Sequence, residues 1–404
     1  MKIRILALFI CIVFFANSQW MQETFSSHSD SLSLSFSSYL DVHSSSIQNI
    51  YSKKIVQGGT FSETDKEKMF QKHKELNRLG LDYQFSIQIN NIPLKKIVKK
   101  PIFWNIKAGT KTLFASSYSK DFFGLLTFGN DRFLGDTLDF KASRFNYYFF
   151  QKLGLGLTFP KFNSQIFFNF VNLSSFFNGD LDGQFFNESN GNSIYWDAQA
   201  NWSQNPKVNW SNGIGFSMDY QQTLKFNLNE NKEVYFQIKV EDLGLVNLKK
   251  AEFQSDTSFT FSGFGVNQLF QISEVKTTEN AWMDSLHIKR DTLNSWEVLP
   301  FSITLQKLTS MDSSSKWQSF FGVKSYPTLP YFPKIFVGAE FSFRKNSQIG
   351  SALSYGGFGG FRWGLYSRLQ WKKMSFFIGL EDFISVFSNK MYGKNLNFKW
   401  SWRL

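Results

Sequence analysis

The nine residues from Leu396 to Leu404 read LNFKWSWRL. Polarity alternates at every step: Leu396, Phe398, Trp400, Trp402 and Leu404 share one face, and Asn397, Lys399, Ser401 and Arg403 share the other. Successive side chains of an extended chain point to opposite sides, so this is a strand with one apolar and one polar surface. Its apolar face is aromatic rather than branched aliphatic, and its polar face carries two cations that a dry core would reject. That pattern is expected in the wall of a transmembrane β-barrel, with Phe398, Trp400 and Trp402 towards lipid. A half-buried edge strand of a soluble sheet is the alternative that the rest of the chain has to exclude.

The alternation recurs from end to end. It is clear in Leu81–Asn90 (LDYQFSIQIN), Phe150–Phe159, Gly213–Tyr220 and Glu233–Asp242, and again in Pro300–Lys307, Lys334–Phe343, Gln348–Tyr355, Gly360–Trp371 and Met374–Leu380. In Gly360–Trp371 the outward set is Phe361, Trp363, Leu365, Leu369 and Trp371, with Ser367 the one polar exception. Arg362, Gly364, Tyr366, Arg368 and Gln370 take the other face. Trp363 and Trp371 sit near opposite ends of the span, as interfacial girdle residues would. Short turns such as Asn346-Ser347 alternate with longer polar stretches such as Asn178–Asn192 and Thr309–Ser315. These spans predict an all-β fold, an antiparallel transmembrane barrel of about 14 strands within a range of about 12 to 16, an even number being favoured.

Composition agrees with that architecture. The chain has 404 residues, of which 49 are Phe, 12 Trp and 14 Tyr, and is 19% aromatic. Its mean hydropathy is nevertheless mildly negative (−0.25), because polar residues are interleaved with the rings. At the N-terminus Lys2 and Arg4 precede an apolar run from Ile5 to Phe15 and then Ala16-Asn17-Ser18. Residues 1–18 read as a removed export signal, leaving 19–404 as the barrel. The apolar run is shorter than the roughly 17–25 residues of a spanning helix. Cys11, the only cysteine, lies inside that signal, so the mature chain is expected to hold no disulfide and no cysteine metal site. Ile10 before Cys11 argues against a lipoprotein anchor.

The formal net charge is +12, and +10 once Lys2 and Arg4 are set aside. Basic residues are scattered without a basic helix or a nucleic-acid motif, so nucleic acid is not expected as a partner. Outer-membrane lipid, lipopolysaccharide or an anion-favouring lumen fits better. On the inward faces lie Lys152, Lys239, Arg362, Arg368, Lys399 and Arg403, opposed chiefly by Asp219 and Glu233. Such a lumen either favours anions or is filled by ion pairs to acids on the loops.

Two segments depart from strand patterning. Ser62–Leu79 reads as a short helix insertion, with Ser62 as cap, Asp65 at the capping-box offset and Gly80 as its end. Thr260–Glu297 is a lid or loop insertion.

Catalytic chemistry finds little support. The histidines are His28, His43, His73 and His287, none of them within a well-patterned strand where a triad would be held rigidly. The acid pairs Glu241-Asp242 and Glu381-Asp382 end alternating strands and read as solvated rim. No phosphate-binding glycine motif or metal-ligand spacing occurs, so no catalytic residue, metal or cofactor is expected. Glycines within the strands read as points of curvature and close packing.

The stretch Ser354–Trp363 (SYGGFGGFRW), the EDLGL run at Glu241–Leu245, Gly129-Asn130 and the terminal strand together carry a resemblance. The chain resembles the uncharacterised outer-membrane β-barrels, of a domain of unknown function, common in gliding and type IX-secreting Gram-negative bacteria. The resemblance implies an exported barrel of the outer membrane, recognised by the barrel-assembly machinery through its C-terminal strand, and defines no catalytic residue. The chain ends in Leu404 where many barrels end in Phe or Trp, a departure for which Trp400 and Trp402 compensate. The function expected is a non-enzymatic passage or binding lumen for a small or lipidic solute. The alternative is a scaffold that docks partners of a secretion or motility complex through its long loops.

Overall fold

The computed structural model describes residues 24–25, 31–93, 102–206, 209–229, 232–261, 289–310, 315–344 and 346–404. The expected export signal, His28 and His287 lie outside these residues. Fourteen strands close into one cylinder. They are β1 (Ser33–Ser44), β2 (Leu76–Pro93), β3 (Phe103–Ser119), β4 (Ser143–Phe159), β5 (Ser164–Asn187), β6 (Gly213–Asn229) and β7 (Lys232–Phe261), then β8 (Ser302–Ser310), β9 (Trp317–Ser325), β10 (Phe332–Arg344), β11 (Ser347–Gly357), β12 (Phe361–Trp371), β13 (Met374–Leu380) and β14 (Gly393–Arg403). Every neighbour in the wall is antiparallel, and β14 closes on β1 from Gly393↔His43 to Arg403↔Ser33. Closure pairs the backbone donors and acceptors of every wall strand, which is what lets a sheet stand in hydrocarbon without an edge. The strand Thr24–Phe25 lies parallel to Thr309–Ser310.

The two ends of the cylinder differ. One holds Ser33, Arg403 and the tight connections 160–163 and 372–373, and is called the terminus end here. The other, the loop end, carries the helices α1 (Asn49–Gln57), α2 (Glu63–Lys72), α3 (Lys120–Phe128) and α4 (Ile384–Phe387).

The outer wall carries an apolar belt in the phase expected from the sequence. On β12 Phe361 and Trp371 are both 62% exposed, with Leu365 and Leu369 between them. Ten residues of strand cover about 33 Å, or about 25 Å along the axis at the usual tilt of about 40°, which is the height of a barrel's apolar band. Trp104, Trp317, Trp371 and Trp402 ring the terminus end, and Phe170, Phe216, Tyr355, Phe361 and Trp363 lie towards the loop end. Trp400 stacks on Phe36 across the closing seam, with ring centroids 5.1 Å apart.

Two strands outgrow the cylinder: β5 has 24 residues and β7 has 30. Beyond the loop-end rim they pair with Ile194–Gln204 and Lys289–Val298, and Thr137–Asp139 adds to the edge of β5. The polar stretch expected as a loop from Asn178 is therefore strand as far as Asn187. The insertion expected over 260–297 is likewise strand from Lys289, while residues 262–288 lie outside the described ones.

Among the described residues four α-helices stand where one was expected. Ser62 does cap α2, its Oγ accepting from the Asp65 N–H at 3.2 Å. The helix ends at Lys72 rather than running to Leu79, because Leu76–Leu79 already pair with β3 as the start of β2. Gly80 is no cap: it lies inside β2, and a Cβ there would fall 2.2 Å from the ring of Phe358. The signal missed for α3 is its own pair of caps, Ser119 Oγ accepting from the Phe122 N–H at 3.0 Å and Gly129 at the far end.

His73 fastens α2 to the barrel. Its Nδ1 lies 2.7 Å from the Met69 carbonyl, which only an Nδ1–H can satisfy, and its ring stacks on Phe123 with centroids 3.7 Å apart. Burial holds the imidazole neutral and lowers its pKa from 6.5 to about 4. Below pH 6.5 the released histidine binds a proton that the docked one does not, so docking weakens as pH falls from 6.5 to 4, by up to about 3 kcal/mol. Limited proteolysis of the α1–α2 cap should accelerate across that range, and a His73→Gln variant should show a flat profile.

Candidate functional site

The lumen is divided into three layers. At the loop end the β9–β10 connection turns Tyr326, Leu329 and Tyr331 inward, and the β11–β12 turn adds Phe358. They pack on Leu113, Phe150, Val171 and Val246 as an apolar plug. Phe358 is fully buried and meets Tyr331 edge-on, centroids 4.9 Å apart. Gly356 and Gly357, at φ +108° and +71°, make the turn that redirects it. This part of the interior is thus apolar where strand alternation implied a polar face.

Beneath the plug, ion pairs cross the barrel. Arg362 of β12 lies 3.1 Å from Asp41 of β1 and 3.0 Å from Glu381, which also takes Lys334 of β10 at 3.1 Å. Lys324 of β9 faces Asp82 of β2 at 3.5 Å, and the Tyr326 hydroxyl donates to the same carboxylate at 2.6 Å. Lys111 of β3 meets Asp242 of β7 at 2.7 Å. Lys152 of β4 bridges Asp242 and Asp219, and Lys107 lies 2.9 Å from Asp219. Arg368 takes Glu340 at 3.1 Å.

A one-residue bulge in β7 supplies two of these acids side by side. The register with β6 slips between Val240 and Leu243, and Asp242 adopts φ +64°. Glu241 and Asp242 both become buried, and the Asp242 N–H donates to Asp219 at 2.8 Å. Past the bulge the inward phase changes from Tyr235 and Gln237 to Val246 and Leu248, which feed the plug.

The third layer is a cavity of about 550 Å³ opening at the terminus end. Its wall is hydroxyl- and amide-rich, with Ser33, Ser37, Gln88, Asn90, Asn397 and Ser401, and it includes Lys239, Lys399 and Arg403.

All six lumen residues read from the sequence therefore face inward, but they divide. Lys152, Arg362 and Arg368 are held in ion pairs, and Lys239 lies 3.2 Å from Glu241. Lys399 and Arg403 line the cavity with no carboxylate in ion-pair distance among the described residues. Trp363, Trp371, Phe398, Trp400 and Trp402 take the outer face.

Several sequence readings are corrected. The acids that neutralise the lumen are wall residues such as Asp41, Asp82, Asp242 and Glu340, or Glu381 just past β13, rather than loop acids. Glu241-Asp242 and Glu381-Asp382 are buried inside this network, not solvated at a rim. Glu233 does stand at the rim, half-exposed and 2.5 Å from Lys225. His43, read as lying outside the patterned strands, falls within β1, buried with its Nε2 3.6 Å from Asp41. The missed acids were visible in phase: Asp82 shares a face with Gln84 and Ser86, and Glu340 with Lys334.

Closed, antiparallel, belted outside and ion-paired within, the molecule is a β-barrel with a septum across its lumen. The chain belongs to a family of unknown function (DUF5723), whose model matches residues 31–381. No curated protein matches it. Among solved structures it is similar to the TodX deltaS2S3 mutant monoaromatic hydrocarbon channel at 8% identity, covering 93% of this chain and 91% of that one with a TM-score of 0.44. It is also similar to the transport unit of the autotransporter AIDA-I from Escherichia coli at 5% identity, covering 97% and 96% with a TM-score of 0.25. The siderophore receptor PirA from Pseudomonas aeruginosa matches at 8% identity over 95% and 81%, with a TM-score of 0.21.

Arg362 is the member of the septum whose loss leaves most unpaired charge. Arg362→Met should destabilise the folded barrel by about 3–5 kcal/mol, since Asp41 and Glu381 would then remain buried without their shared partner. The loss is read as a drop in the denaturant midpoint in detergent, and a change within the error of the unaltered protein would contradict the arrangement.

Proposed function

We propose that the chain is a non-enzymatic barrel of the bacterial outer membrane whose lumen binds a small solute in a blind vestibule. Three features support the membrane setting: the apolar belt of about 25 Å, its aromatic girdles and the closed wall. Outer-membrane barrels carry short turns on the periplasmic side and long loops outside. By that rule the terminus end faces the periplasm and the helical cap faces outward.

The observation that carries the blind reading is the septum. Arg362, Lys111, Lys324 and Lys334 are each 2% exposed or less, and the plug lies over them, while the cavity below is open. A standing pore would leave its charged wall residues hydrated. Among the described residues the serines of the cavity pair with each other, as in Ser37–Ser86 and Ser375–Ser401.

One observation favours a second reading, a scaffold for a secretion or motility complex. The overhanging parts of β5 and β7, with their added strands and the cap, build a platform at the loop end that a simple vestibule does not need. A stable heteromeric complex cross-linked from a cysteine placed at Asn201 in intact cells would support docking there.

In planar bilayers the unaltered protein should show no steady ion conductance. Replacing both Lys111 and Asp242 by Ser removes their ion pair with no change in net charge, leaves Lys152 to Asp219 alone, and should produce measurable flickering current. Steady conductance of the unaltered protein would sink the blind-vestibule reading.

A further inference from the structure

The charges of the vestibule are unevenly distributed. On the side formed by β3, β4, β6 and β7, the cations Lys107, Lys152 and Lys239 are matched by Asp219, Asp242 and Glu241 at ion-pair distance. On the side formed by β13, β14, β1 and β2, no acid among the described residues faces the cavity between the septum and the terminus-end rim. There Lys399 and Arg403 project from β14 four residues apart, about 13 Å along the strand. Lys373 joins them at the rim, where its carbonyl accepts from the Arg403 N–H at 2.8 Å. None of the three has a carboxylate partner among the described residues, and all three line the cavity.

Hydroxyls and amides fill the space between these cations. Ser375 and Ser401 lie 2.6 Å apart and Ser37 and Ser86 lie 2.7 Å apart, each pair keeping lone pairs and rotatable hydrogens for a third group. The wall therefore offers three cationic donors and a serine row, and among the described residues no acidic side chain to offset them.

The rim extends the same field. Among the described residues, the turns that join strands at this end carry Lys161, Lys316, Lys372 and Lys373 and no acid. A cleft lined by one sign of charge concentrates ions of the other sign and raises their rate of entry. Lysines on the outer rim can serve lipid headgroups, but Lys399 and Arg403 point into the cavity and cannot.

We infer that the β13–β14–β1–β2 wall is a binding site for a small hydrophilic solute bearing an oxyanion, a phosphate or a carboxylate, admitted from the terminus end. The inference rests on the blind-vestibule reading and names the class of solute that vestibule takes. Arg403 and Lys373 receive the anion at the rim, Lys399 holds it deeper, and the serines bind hydroxyls of its uncharged part.

The test uses a thiol as a field sensor. Cys11 is the only cysteine of the chain, so a protein produced from residue 19 carries no competing thiol. Ser33→Cys places one in the cavity opposite Arg403. Its rates of modification by an anionic and a cationic methanethiosulfonate reagent are measured in neutral detergent and normalised to those of a free thiol. The anionic reagent should be preferred by about tenfold or more at low salt, and glucose 6-phosphate, but not glucose, should protect. Lys399→Gln with Arg403→Gln should bring the preference close to that of the free thiol. Lys373→Gln, in a turn outside the strands, should lower it part of the way even if the double variant folds poorly. Equal preference for both reagents, or protection by glucose as strong as by its phosphate, overturns the anion assignment and leaves the vestibule standing. Failure of both reagents to react removes the vestibule itself.

Discussion

Burying charge inside the barrel is the constraint around which the rest of the structure is arranged. Arg362, Lys111, Lys334 and Lys324 are withdrawn from water together with Asp41, Asp82, Asp242 and Glu381. Desolvating each ion costs several kcal/mol, and the pairing offsets that cost only when geometry is good and the spare hydrogen-bonding positions are filled. Arg362 meets it in part, reaching two carboxylates and the Gly356 carbonyl at 3.3 Å while its Nε stays buried without a hydrogen-bond partner. The network therefore adds little net stability over an apolar filling of equal volume. What it adds is discrimination. A slip of one residue in any wall strand would carry its inward charges to the outer face, where a cation at mid-bilayer costs about 2–4 kcal/mol. It would also strand every partner left behind.

The layers above and below follow from that choice. A buried ion layer tolerates no leakage of water on one side only if the covering is well packed, and the plug supplies this with rings drawn from turns rather than from strands. A small residue makes the room: at Gly80 a Cβ would fall 2.2 Å from the Phe358 ring. Below the layer water enters, and the pairs there are looser. Lys107 and Lys239 keep 12% and 19% of their surface, against 1% for Lys111.

Lipid and water leave different traces in a sequence, and this explains which parts were legible. On β12 and β14 every second position must be apolar over the height of the belt, so the faces of Arg362–Gln370 and Asn397–Arg403 could be read residue by residue. The overhang of β5 and β7 leaves the belt, so Asn178–Asn187 keeps strand geometry without a lipid-facing stripe and looks like a polar loop. The acid partners were legible in phase but not in pairing: Lys324 and Asp82 are separated by 242 positions, and no local periodicity carries such a contact. Phe358 was out of reach for another reason. Two left-handed glycines precede it, and a phase count cannot cross a turn whose direction depends on what lies beneath.

The two closures of the lumen differ in how they are attached, which gives the barrel a direction. The plug hangs from connections between β9 and β10 and between β11 and β12, and the Tyr326 hydroxyl ties it to Asp82 of the septum. The septum is fixed to β1, β2, β3, β7, β9, β10 and β12, and opening it means exchanging partners among charges that stay in place. Such an exchange needs water or a competing ion, and either can come only from the open cavity. An anion arriving from the terminus end would meet Lys239 and Lys152 before any plug residue, and would compete with Glu241 and Asp219 for them. An approach from the loop end instead meets the rings of the plug before any charge of the septum.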